Sequence, residues 1–154
     1  MGLDQYAHCR NREVNWEKFY SDDEKESQAE QKDVFVWRKH ARLQVFMNCV
    51  WHKQNVKRLQ QMGLKNKKKK EPFDLSHLGF NAGEEVYMTE DVVKELEKAI
   101  KEDYYHYFAH DGFFWGQQWQ EEAVKEYKQQ DQEFLQFCKD ALKQKKCVVY
   151  TCSW

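Results

Sequence analysis

The chain has 154 residues, a length that suits one domain spanning 1–154, and 16% of them are aromatic. With 25 Lys and Arg against 26 Asp and Glu, the net charge is −1. That near balance supplies no global field for nucleic acid and no acidic excess to imitate it. The aromatic rings let a small core be built from few large pieces, which argues against disorder for the chain as a whole.

In chain order, the stretch GLDQYAHC (2–9) alternates, with Leu3, Gln5 and Ala7 opposite Asp4, Tyr6 and His8, and reads as a first strand. Residues 21–33 are polar and read as a loop or a short solvated helix. The longest periodic pattern predicts a helix over about 34–61. Its stripe is Trp37, Ala41, Val45, Cys49, His52, Val56 and Leu59, widened by Phe46 and Val50, with Asp33 as the N-cap. The lysine-rich LKNKKKKEP (64–72) reads as a solvated loop near a helix C-terminus, with contact to an acidic surface or nucleic acid as the alternative. Pro72 opens an irregular stretch to about Gly83.

EEVYM (84–88) predicts a short strand. Thr89 then caps a helix over 90–102 whose apolar face is Val92, Val93, Leu96, Ala99 and Ile100. The aromatic run 103–116 is broken by Gly112. A last helix is predicted over about 119–144, on the stripe Ala123, Tyr127, Phe134, Leu135, Cys138, Ala141 and Leu142. Asp131 interrupts that stripe, so it marks either a helix break or a partnered buried charge. CVVYTCS (147–153) reads as a closing strand. The expected fold class is α+β: two or three long helices packed on a small sheet formed by N-terminal, middle and C-terminal strands.

Five cysteines, at positions 9, 49, 138, 147 and 152, form no CxxC pair and no leader precedes them. They read as reduced thiols in a cytoplasmic compartment. The apolar runs are too short to span a bilayer, so no membrane association is expected.

Several motifs together carry a resemblance: MGLD at 1–4, WRKH at 37–40, FNAGEEVYMTED at 80–91, GFFWG at 112–116 and the final Ser-Trp at 153–154. On these the chain resembles, from end to end, an uncharacterised family of small proteins of bacteriophages and some bacteria. Some members carry the label phosphoglycerate kinase. That enzyme is a two-domain protein several times longer, and this chain has no glycine-rich phosphate loop, so no activity transfers. The resemblance implies a phage-type accessory protein in the cytoplasm of an infected or lysogenic bacterial host.

Two functional readings follow. In the first, the chain binds a host protein or itself, as a host-takeover or anti-defence factor, through Tyr104, Tyr105, Tyr107, Phe114, Trp115 and Trp119. In the second, it is a small-molecule binder or small enzyme. Its pocket gathers Asp4, Arg38, Lys39, His40 and Asn48 with Ser153 and Trp154, because paired terminal strands would bring Asp4 close to Cys152. The structural alternative for the same residues is a buried Asp4–Arg38 pair tying strand to helix. His106 and His110 have the spacing of two ligands on one helical face, with Asp103 and Asp111 alongside, but no HExxH or Cys/His cluster completes a shell; no metal and no cofactor is expected. Enzymatic activity and nucleic-acid binding are both disfavoured.

Overall fold

A computed structural model of the chain describes residues 3–10, 15–19, 25, 34–56, 84–107 and 120–153. Their elements in order are β1 (Asp4–Cys9), α1 (Trp16–Phe19), β2 (Val34–Arg38), α2 (Ala41–Gln54), β3 (Val86–Tyr87), α3 (Glu90–Lys101), α4 (Gln120–Glu126), α5 (Lys128–Lys143) and β4 (Val148–Ser153). The strands form one antiparallel sheet in the order β2-β1-β4-β3, so the fold is α+β as expected.

The alternation of β1 is realised: Gln5, Ala7 and Cys9 are buried, whereas Asp4, Tyr6 and His8 are half-covered on the other face. Across the sheet, Gln5 lies opposite Trp37 on β2 and Cys152 on β4, while Asp4 lies opposite Arg38 and Ser153. Pairing of the two terminal strands is therefore as the sequence suggests. The buried face of the sheet and the inward faces of the helices share one core, in which Trp37, Phe46, Leu96, Phe134 and Tyr150 are fully enclosed. Phe35 and Trp37 stack along β2, and the Phe134 edge meets the Trp37 ring at 5.0 Å.

The helix predicted over 34–61 begins later than its periodicity implies. Residues 34–38 are strand β2, and the helix starts at Ala41. Val34, Phe35, Val36 and Trp37 are β-branched or aromatic, types that fit a pleated surface. The four-residue step from Trp37 to Ala41 extended a helical pattern backward across a chain break. That break is Lys39, whose φ of 58° no helix can run through. The N-cap position is His40, without a side-chain cap; Asp33 lies outside the described residues.

The inward face of α2 also differs. Leu43, Gln44, Phe46, Met47, Val50 and Trp51 are buried, whereas Cys49 and Val56 are exposed. The larger apolar side chains define the face, not the stripe drawn through Trp37. Helix α3 is as expected: the Thr89 Oγ1 accepts from the Val92 amide at 3.4 Å, and the five predicted apolar residues are buried. Helices α4 and α5 carry the last predicted helix and meet at Tyr127, with helical hydrogen bonds on either side.

Side chains cover both outer edges of the sheet. On β2, the Val36 carbonyl accepts from Gln130 Nε2 at 2.6 Å, and the Arg38 amide donates to the Tyr127 hydroxyl at 3.0 Å. On β3, the Gln54 side-chain amide both donates to the Tyr87 carbonyl (2.8 Å) and accepts from the Tyr87 amide (3.1 Å). It pairs with Tyr87 as a neighbouring strand would.

Candidate functional site

A buried polar cluster lies where β2, α5 and the end of α3 meet. Asp131, on the first turn of α5, is 2% exposed. Its Oδ1 accepts from the Trp37 indole N–H at 2.7 Å, and its Oδ2 accepts from the Tyr104 hydroxyl at 2.9 Å. His40 Nε2 stands 2.9 Å from the same Oδ2. An ionised carboxylate only accepts, so Nε2 carries the proton in this contact. Among the described residues His40 is the one basic side chain within 4 Å of the Asp131 carboxylate. The interrupted stripe of the last helix thus reflects a partnered charge.

A second chain of bonds begins at Gln5, a polar residue on the apolar face of β1. Its Oε1 accepts from the His40 amide at 3.0 Å, and its Nε2 donates to the His40 carbonyl at 3.1 Å. That pairing fixes the backbone that presents the imidazole. Gln5 Nε2 also reaches the Tyr150 hydroxyl (2.7 Å), which donates to Gln44 Oε1 (2.7 Å); Gln44 Nε2 in turn points at the Cys152 sulfur (3.2 Å). His40 is sandwiched by rings, stacked on Tyr127 at 5.5 Å and edge-on to Tyr104 at 5.3 Å. Its Nδ1 is buried and has no hydrogen-bond partner.

The cluster is held neutral at its edges. Burial, together with the adjacent Asp131 charge, pushes the Tyr104 phenol well above its ordinary range. Burial and the neighbouring Cys152 do the same for Tyr150. Burial raises the Cys152 thiol to about 12, against a smaller opposing effect of the Gln44 hydrogen bond. A thiol so protonated is a poor nucleophile at neutral pH.

The backbone around the cluster is strained. Lys39, Asp103 and Tyr104 have φ of 58°, 50° and 54°. Each left-handed non-glycine residue costs on the order of 1–3 kcal/mol, and a ring as bulky as tyrosine is rare there. Asp103 and Tyr104 close α3 with bonds from the Asp103 amide to the Ile100 carbonyl (3.2 Å) and from the Tyr104 amide to the Ala99 carbonyl (2.8 Å). This is the reverse turn that glycine usually completes. It drives the Tyr104 side chain inward, to 1% exposure, and the next side chain outward: Tyr105 is 77% exposed.

The residues named from sequence are distributed unevenly. Asp4 and Arg38 do form an ion pair, at 3.8 Å, but it is exposed and spans β1 and β2; the expected buried tie from strand to helix is not what forms. His40 belongs to the opposite, buried side of the sheet, so it does not converge with Asp4 and Arg38 into one pocket. Lys39 and Ser153 are exposed, and Asn48 is half-buried on α2. Tyr104, expected to face a partner, is instead core, because the left-handed backbone turns it inward. Tyr107 is half-buried, edge-on to Phe46 at 5.1 Å. Phe114, Trp115, Trp119 and Trp154 lie outside the described residues, as does His110. His106 Nε2 stands 3.7 Å from Glu102 Oε2, and among the described residues no group of three His, Cys, Asp or Glu side chains is placed to hold a metal ion.

Gln5, Gln44 and Trp37 were not anticipated as site residues. Gln5 did carry a signal, since an amide on the apolar side of an alternating strand needs a buried partner. Among the described residues no helix is long and apolar enough to cross a membrane. No family model, no curated protein and no solved structure matches the chain.

Proposed function

We propose that the chain is a small phage-type accessory protein that acts by binding, either to a host protein or to a second copy of itself, in the cytoplasm of a bacterial host. A host-takeover or anti-defence role fits such a chain. The observation that carries the binding reading is Tyr105. It projects from a turn whose flanks are fastened: Tyr104 to Asp131, Tyr107 against Phe46, and the Asp103 carbonyl to Arg42 at 3.1 Å. An exposed aromatic on a pre-ordered turn loses little entropy on contact, which is what interface anchors require. His106 packs edge-on beside it at 5.3 Å and adds a polar rim. The one buried acid–base cluster among the described residues is sealed from solvent, which favours binding over catalysis.

The pocket reading loses support, because its residues divide between two faces of the sheet. The free state of all five thiols accords with a reducing compartment. The test is a photo-crosslinker at position 105, irradiated in host lysate and in purified protein. A discrete adduct is expected that excess unlabelled wild type abolishes and excess Tyr105→Ala protein does not. Equal competition by Tyr105→Ala and wild type overturns the reading.

A further inference from the structure

Tyr104 occupies its cavity as a ligand would. Its hydroxyl donates to Asp131 Oδ2 at 2.9 Å, its ring meets the His40 ring edge-on at 5.3 Å, and the cavity wall holds a buried imidazole nitrogen, Nδ1, with no partner. The segment that brings it there is the strained one, with two consecutive left-handed residues, neither of them glycine. The turn is ordered at rest, and beside the Tyr107–Phe46 ring contact its polar ties to the outside are surface ones. Arg42 reaches the Asp103 carbonyl at 3.1 Å and Lys128 the Asp103 carboxylate at 3.3 Å, both on the exposed surface. Opening the turn would release backbone strain and fray only the end of α3, whereas Trp37, His40 and Asp131 stand on β2, the residue that precedes α2, and α5.

We propose that the cavity behind the 102–107 turn is a binding site for small para-substituted phenols, and that Tyr104 is its internal, displaceable occupant. Recognition is set by three features: the Asp131 carboxylate accepts the phenol O–H, the His40 ring, itself held by stacking on Tyr127, meets the phenol ring edge-on, and the site excludes water. A hydrogen bond to a buried carboxylate separates a phenol from an apolar ring of the same shape. The inference stands independently of any partner at Tyr105, because its readouts need no second protein.

The probe is p-cresol, the tyrosine side chain freed from its backbone, with toluene as the ring lacking the hydroxyl. Two arms are needed. Tyr104→Gly empties the cavity while placing, at a φ of 54°, the one residue that adopts it without penalty. Calorimetry on this variant is expected to show p-cresol binding at least about tenfold tighter than toluene. Equal affinity for the two rings overturns the proposal. In the wild type, hydrogen exchange reads displacement directly. The Tyr104 amide is bonded to Ala99 and the Tyr107 amide to Tyr104, so both are protected while the turn is closed. Millimolar p-cresol is expected to speed exchange at both amides while leaving β1 and β4 unchanged, and toluene is expected to do neither. Unchanged exchange at 104 and 107 in p-cresol means the tyrosine is a fixed core residue, and the proposal fails. Should Tyr104→Gly not fold, by circular dichroism, the wild-type arm alone decides.

Discussion

Replacing Asp131 with asparagine changes almost no volume and reverses the polarity of one oxygen. In Asp131→Asn the amide oxygen takes the Trp37 indole and the NH2 stands where Oδ2 was, facing His40 Nε2 and the Tyr104 hydroxyl. Two bonds to a charged acceptor are lost, worth about 1.5–3 kcal/mol each. Part returns, because the phenol can rotate to accept and the imidazole proton can move to Nδ1, which has no partner to lose. The net cost is about 2–4 kcal/mol, a Tm drop on the order of 5–15 °C at this chain length. Urea unfolding at pH 7, followed by near-ultraviolet circular dichroism, measures it. A double-mutant cycle with Tyr104→Phe is expected to return a coupling of about 1 kcal/mol or more. A change below about 0.5 kcal/mol for Asp131→Asn, or no coupling, refutes a carboxylate shared by three donors.

Further outcomes follow from the same geometry. Gln5→Leu strands the His40 amide in the core and is expected to cost about 2–4 kcal/mol, read by the shift in urea midpoint; a neutral change contradicts the Gln5–His40 pairing. Tyr104, Tyr150 and Cys152 all have folded values above their ordinary ones, so they keep protons that the unfolded chain releases. Their stabilisation is complete below the ordinary thiol value of about 9, and the urea midpoint is expected to fall steadily as pH rises through 9–11. On the acid side, burial lowers His8 and His52 below 6.5, so stability they contribute above that value declines as pH falls beneath it; His8→Gln is expected to flatten that decline. A thiol reagent at neutral pH is expected to label exposed Cys49 first and half-buried Cys147 next, both slowly because burial raises their thiols. Cys9, Cys138 and Cys152 stay unlabelled until unfolding, as mass spectrometry of labelled peptides will show.

The sequence was legible where one local signal sufficed. The alternation of β1, the Thr89 cap and apolar face of α3 and the β-branched run of β4 all reached the structure intact. It misled where two local signals competed. The VFVW segment has strand-forming residues, yet its last member stands four places before Ala41, and the helical period absorbed it. The face of α2 was then drawn from Trp37 and so missed Met47 and Trp51. The buried cluster was legible only as two anomalies, an aspartate on an apolar stripe and a glutamine on an apolar strand face. Its assembly was not, because the donors to Asp131 sit 94, 91 and 27 residues away in the chain. Nor does composition disclose that Asp103 and Tyr104 adopt a glycine-like backbone, which exchanges the roles of adjacent tyrosines and leaves Tyr105 outside.

The glutamine at Gln54 and the pair Gln130 and Tyr127 occupy the main-chain groups at which another polypeptide would zip onto this sheet. A two-residue β3 already offers little to copy, and the edge of β2 is obstructed by α5. At these two edges a second polypeptide meets side chains and not open main-chain groups. The same obstruction guards these two edges against templated fibril growth.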